Sequence, residues 1–367
     1  MNFRVVYLFA LSASLFATDS RALFERAREL ERAGDWAASE ALYREVLKQA
    51  PSSAEVVGNL GVVLARQEKF DEAISMYRRA LRLHPALYPL HLNLGLACYK
   101  IGQRPEAIRE FRLYLARDAD NRQARQMLAT ALLESDQYEE AAKIFDSLMP
   151  SEDLSLQLGL ATSLVRLQRV SEARKILDNL LKDDESAEVQ LVLGQAYVAA
   201  TEFEQADRAL RRAIQLKPGL AGARFYLGAL RWKQQNEEEA IAAWREELKL
   251  DGNSFETLFA LGAVLAEKGQ FDEAGRLLVQ ARAKRPRHAA TLYFLGKIAW
   301  KRGDTTALNL LEESVRLDPK NRQARYLLGQ IYAARGRRAD AAREYAAVRT
   351  LGLEGVQQEI DILAEIQ

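Results

Sequence analysis

The residues that could carry chemistry are few and scattered. The chain holds three histidines, His84, His91 and His288, with no common spacing that would gather them on one metal. A single thiol, Cys98, allows no intrachain disulfide and no CxxC metal or redox site, and its neighbours suggest a buried, inert side chain. No GxxxxGK[ST], GxGxxG after a strand, GxSxG or HExxH occurs, so neither a phosphate cradle, a nucleophile elbow nor a zinc helix is encoded. Acidic pairs such as Glu139-Glu140 open a helical stretch, where they complement the helix dipole rather than form an acid/base pair. These absences predict a protein that is not an enzyme and holds no cofactor and no metal.

Composition narrows the partner class. The formal net charge is +1, from 52 basic and 51 acidic residues, which argues against nucleic acid as the main partner. Hydrophobic residues make up 49%, enough for a continuous core, and the eight prolines are few for 367 residues. Abundant Ala, Leu, Arg and Glu favour helix over strand.

The apolar residues fall into units with a period of 32 to 34 residues. Leu-Gly pairs mark them at Leu60-Gly61, Leu94-Gly95, Leu193-Gly194, Leu227-Gly228, Leu261-Gly262, Leu295-Gly296 and Leu328-Gly329. The 99-residue gap after Gly95 contains two units whose small residue is Ala129 or Ala161, and Ala27 takes that place in the first unit. Twelve residues on comes a second small residue, such as Ala73 or Ala240, followed four later by a large one, such as Tyr77 or Trp244. In the ninth unit the second small residue, Ala307, is only eleven on, so one residue is missing. Pro51, Pro85, Pro218, Pro286 and Pro319 close units, since proline cannot continue a helix interior. The spacing predicts two short helices per unit, with the small residues allowing close approach and the large residue filling the gap against the next unit.

This pattern resembles the tetratricopeptide repeat family. Ten units begin near Ser20, Ala54, Tyr88, Arg122, Leu154, Ala187, Ala221, Phe255, His288 and Arg322. The resemblance implies an all-α superhelix, an α-solenoid, whose first helices line an inner wall that holds a protein or peptide partner. Carried onto this chain, that wall is uneven. Its N-terminal half offers Phe24, Arg28, Asn59, Arg66, Asn93, Tyr99, Lys100 and Gln126. Its C-terminal half offers Phe225, Tyr226, Trp232, Lys233, Phe259, Tyr293, Phe294, Lys297, Trp300, Lys301, Tyr326 and Gln330. The second set predicts a partner groove, with Trp232, Trp300, Tyr293 and Phe259 as apolar anchors and Lys233, Lys297 and Lys301 pairing with acidic groups. The carboxylate clamp of the family's co-chaperones is not expected. Phe24 and Arg28 stand where it needs Lys and Asn, and Leu92 and Leu96 occupy its third-unit positions.

The ends and one junction depart from the repeat. Residues 1–17, MNFRVVYLFALSASLFA, have a basic start, a short apolar run and small residues, the layout of a secretory signal, and predict export to a periplasmic or extracellular space. An uncleaved N-terminal anchor is the alternative. Met149-Pro150-Ser151-Glu152-Asp153 shortens the fourth unit, and irregular stacking or a deletion absorbed in a turn is expected there. Residues 20–353 form the array, and 354–367, with Val356, Ile360 and Leu363 on one face, read as a capping helix. The function expected is a non-enzymatic interaction scaffold. A periplasmic subunit of an export or polysaccharide-secretion complex, and a carbohydrate-binding protein using the aromatic groove, are alternatives.

Overall fold

A computed structural model describes residues 18–183 and 186–351. The expected signal segment and capping helix lie outside the described residues. The chain divides into two compact units, residues 1–176 and 177–367. Among the described residues there are twenty α-helices. They run α1 (Thr18–Ala33), α2 (Trp36–Gln49), α3 (Ala54–Arg66), α4 (Phe70–Leu83), α5 (Pro89–Lys100), α6 (Arg104–Leu115), α7 (Arg122–Leu133), α8 (Tyr138–Asp146), α9 (Leu154–Arg166) and α10 (Val170–Asp183). Then follow α11 (Ala187–Ala199), α12 (Phe203–Leu216), α13 (Ala223–Lys233), α14 (Glu237–Leu250), α15 (Phe255–Glu267), α16 (Phe271–Lys284), α17 (Ala289–Lys301), α18 (Ala307–Leu317), α19 (Arg322–Ala334) and α20 (Arg338–Thr350).

From α1 to α8 and from α11 to α20, odd and even helices pack as hairpins, and α2, α4, α6, α8, α12, α14, α16 and α18 each also pack on the first helix that follows. Sequence chemistry sets the boundaries. The first helices α3, α7, α9, α11, α15, α17 and α19 have side-chain caps, from Ser53, Asn121, Asp153, Ser186, Ser254, His288 and Asn321. Pro89 and Pro105 sit at helix starts, where a missing N–H costs little.

Each hairpin turn places one residue in left-handed backbone: Gly34, Glu68, Gly102, Asp136, Gln168, Thr201, Gln235, Gly269, Gly303 and Gly336. That residue ends the first helix and lets the chain reverse within a few residues.

The packing rule differs from the expectation in one respect. The large residue of a second helix sits on the glycine of its own hairpin rather than filling a gap against the next. A Cβ at Gly61 would lie 2.7 Å from the Tyr77 ring, and one at Gly228 would lie 2.5 Å from Trp244 Nε1. The same seat pairs Gly95 with Phe111, Gly194 with Leu210, Gly262 with Leu278, Gly296 with Leu311 and Gly329 with Tyr345. The missing side chain leaves a notch, and the ring or branched chain fills it.

The irregular junction has a specific form. α8 is only nine residues long. Its Phe145 seats on Gly159 of the following first helix, α9, where a Cβ would lie 2.5 Å from the ring. In the ninth hairpin the deletion removes the start of the second helix: α18 begins at Ala307 itself, whereas α16 begins at Phe271, ahead of Ala274. Leu311 still reaches Gly296, so the packing register survives the lost residue.

Thr201 carries the left-handed turn with a β-branched side chain at φ 59°. Thr201→Gly should therefore stabilise its hairpin by about 1 kcal/mol, seen as a higher urea midpoint by circular dichroism. An unchanged or lower midpoint would contradict strain at that turn.

Candidate functional site

The expected anchors lie on α13, α15, α17 and α19, all within the second compact unit. α13 has no capping side chain of its own, because Gly222 occupies its N-cap at φ 85°. Glu247 of α14 supplies the cap instead. Its buried carboxylate accepts hydrogen bonds from the N–H groups of Gly222 (2.5 Å), Arg224 (3.1 Å) and Phe225 (3.3 Å). Most other hairpins carry a small or apolar residue at this second-helix position, for example Ala213 and Ala281. Trp244 adds a bond from its indole N–H to the Phe225 carbonyl, at 3.1 Å. Two residues of α14 thus fix the helix that presents Tyr226, Trp232 and Lys233.

The structure divides the aromatic set in two. Phe259 has no exposed surface, and Phe225 and Tyr293 are each 6% exposed. Phe294 is also fully buried. Phe259 and Tyr293 are therefore packing residues rather than open anchors, which corrects the expectation for both, and Phe225 is likewise closed off from the groove. The physical reason is α15, where every residue from Thr257 to Ala266 is buried. Phe259 stacks parallel to Phe255 at 6.0 Å and meets Phe294 edge-on at 6.0 Å. The His288 ring stands edge-on to Phe255 and Phe259, at 4.9 and 4.8 Å. Tyr293 meets Phe294 at 5.0 Å, and burial pushes its phenol pKa up.

The remaining members reach the surface. Tyr226, Trp232 and Trp300 are half-buried, each resting on the core with part of the ring open. Tyr326 is 41% exposed and tilts against Tyr345 at 5.8 Å. Lys233 and Lys301, each following a tryptophan, are exposed. Lys297 is tied to Glu267 of α15 at 2.6 Å, so it bridges adjacent first helices instead of standing open to a partner. Trp232 and Trp300 share one helix position, two hairpins apart.

In the first compact unit, Asn59 and Asn93 are 4% and 2% exposed, so neither lines an open groove, and this too is a correction. Asn59 belongs to a buried polar cluster. The Tyr43 hydroxyl donates to Glu31 at 2.7 Å, and Asn59 hydrogen-bonds the same hydroxyl. Arg66 lies over the Trp36 ring at 5.8 Å.

The histidines stay apart. His84 ends α4, His288 caps α17, and His91 Nδ1 lies 2.6 Å from Glu110. Among the described residues no cluster of His, Cys, Asp and Glu could hold a metal ion, and no helix is long and apolar enough to cross a membrane. Burial pushes the Cys98 thiol up to about 12.

Burial raises the Glu31 carboxyl above its ordinary value, against the opposing hydrogen bond from Tyr43 and the charges of Arg28, Arg32 and Arg66. A raised carboxyl favours the folded state below its unfolded value and loses that contribution as pH rises through the folded value. Glu31→Gln keeps an acceptor for Tyr43 without the buried charge. Its urea midpoint should exceed the native one at pH 7 and converge with it below about pH 4; a midpoint lower at both pH values would refute this sign.

Family models described as tetratricopeptide repeat match residues 24–88, 191–254, 259–307 and 305–351, and residues 64–129 and 132–196. Protein NPG1 of Arabidopsis thaliana is 28% identical over 174 residues, which is 47% of this chain and 21% of that protein. Protein O-mannosyl-transferase TMTC3 of Mus musculus is 22% identical over 266 residues, 72% of this chain and 24% of that protein. This chain therefore spans less than a quarter of either relative. Among solved structures, a tetratricopeptide repeat protein from Parabacteroides merdae superposes with a TM-score of 0.51 at 16% identity, covering 64% of this chain and 94% of that one. That likeness is one of fold alone.

Proposed function

Since the chain belongs to the tetratricopeptide repeat family, we propose that it is a non-enzymatic scaffold that holds a partner protein on the open part of its C-terminal first-helix wall. One observation carries this reading: Trp232-Lys233 and Trp300-Lys301 repeat at the same helix position, each pairing a half-open indole with an exposed ammonium. A partly exposed aromatic loses little entropy on contact and contributes large apolar area, while the neighbouring cation selects an acidic partner group. Tyr326 extends the apolar surface on α19.

The name of the TMTC3 relative includes a transferase, which raises an enzymatic reading. The residues favour the scaffold: the aligned stretch is repeat sequence, and the wall bears tryptophans and lysines without a carboxylate pair facing a common point. Residues 1–17 support export of the scaffold, and the partner is then an envelope or secreted protein.

The charge-reversed chain Lys233→Glu with Lys301→Glu keeps every buried residue. It should retain the native thermal midpoint and lose about tenfold or more in partner affinity, measured by affinity capture from the native envelope fraction followed by titration with the recovered partner. Unaltered affinity in the folded variant would defeat the wall reading. Edman sequencing of the protein from that fraction should find a start near Thr18. A start at Met1 would defeat cleavage.

A further inference from the structure

Three residues after the second small residue, the second helix of most repeats carries a large side chain. Leu42, Met76, Ile144, Ile176, Leu277 and Leu310 stand there, with Met76, Leu277 and Leu310 close against Gly61, Gly262 and Gly296 of the first helix, and Glu110 and Glu344 pair with His91 and Arg325. The sixth and seventh repeats instead carry Ala209 and Ala243. Each truncation coincides with a cavity. One of about 330 Å³ is lined by Ala243, Leu227, Ile214, Arg211, Arg224 and Glu246. The other, of about 290 Å³, is lined by Ala209, Leu193, Gln190, Gln205, Arg208 and Arg212, so Ala209 and Leu193 stand where Ala243 and Leu227 stand one repeat later. An apolar cavity of about 150 Å³ accommodates a benzene ring, so each has room for a large side chain.

The tenth repeat shows what the seventh lacks. Arg325, four residues before Gly329, donates from Nε to the Pro319 carbonyl at 2.6 Å and from Nη1 to Glu344 at 2.6 Å. Arg224 stands at the same position before Gly228 and likewise donates to a carbonyl six residues back, that of Pro218, at 2.6 Å. Its facing residue is Ala243, so the carboxylate that completes the tenth repeat is missing. The third repeat fills the same place with His91 and Glu110, 2.6 Å apart. Nearby acids replace it only in part: the Glu246 carboxyl is lowered first by its hydrogen bond to Lys249, with the Arg224 charge a smaller influence. The Glu247 oxygens accept from backbone N–H groups, and Glu246 pairs with Lys249 at 2.5 Å.

We propose that the cavity beside Ala243 and Arg224 docks an acidic, apolar peptide segment of a partner protein. A partner carboxylate takes the place beside Arg224 that Glu344 takes beside Arg325, and an adjoining apolar side chain fills the space over Leu227. Arg208 on the rim of the preceding cavity extends the preference for acidic residues along the segment. This surface uses residues of α12, α13 and α14 other than the Trp232 and Trp300 wall, so it stands or falls separately.

The chain's own repeats supply the test. Ala243→Glu recreates the pair of the tenth repeat, and Ala243→Leu recreates the apolar cover of the eighth and ninth. Both should keep or raise the thermal midpoint. A random dodecapeptide library panned on the full chain should yield peptides rich in Asp and Glu beside Leu, Phe or Trp. By fluorescence anisotropy these should bind both variants at least about tenfold more weakly than the native chain, and bind Lys233→Glu with Lys301→Glu unchanged. A library that yields no acidic, apolar class, or peptides that bind the folded Ala243 variants as tightly as the native chain, would overturn the proposal.

Discussion

A large side chain resting on a missing one is the contact on which seven of the ten hairpins depend. Tyr77 on Gly61, Trp244 on Gly228 and Leu311 on Gly296 are the same event with different chemistry. The glycine brings two helices closer than a Cβ would allow, and the large residue fills the space so made. Burying such a side chain fully is worth roughly 1.5–3 kcal/mol, which a lone short helix cannot supply from hydrogen bonding alone. The ring or branched chain can vary because the notch selects bulk and reach rather than one residue type.

That constraint explains how the chain tolerates its deletions. The ninth repeat loses a residue between its glycine and its second helix, yet Leu311 still finds Gly296. The loss is absorbed by α18, which begins at Ala307 without the additional turn that α16 has. At the fourth repeat, where Ala129 stands in place of the glycine and α8 is cut to nine residues, Phe145 rests on Gly159 of α9.

The surfaces proposed to meet a partner lie where the repeat deviates from its own rule. Glu247 stands where most hairpins have a small or apolar residue, and it caps α13 from outside that helix. Ala209 and Ala243 stand where others have a covering side chain, and cavities lie beside them. Trp232 and Trp300 stand partly clear of a core that takes in Phe259 and Phe294 entirely. Packing demands the residues common to most repeats, so the residues left to serve the proposed partner are those most repeats lack.

The sequence by itself determined the helices, their pairing and the phase of the repeats, because those follow from local spacing: a small residue, another twelve on, a large one four later, and Pro or a left-handed turn between. It also determined which side chains belong to the first helices. Only the tertiary structure decided which of those side chains remain open. Phe259 and Trp300 look equivalent as aromatic residues on neighbouring first helices, but exposure depends on what the adjoining helices and loops bring. His288 and Phe294 arrive from the next repeat to cover Phe259. The asparagines show the same limit: Asn59 reads as a polar wall residue until Tyr43, from the preceding repeat, takes its hydrogen bond. Local spacing encodes what a repeat is made of, whereas burial is a property of neighbours.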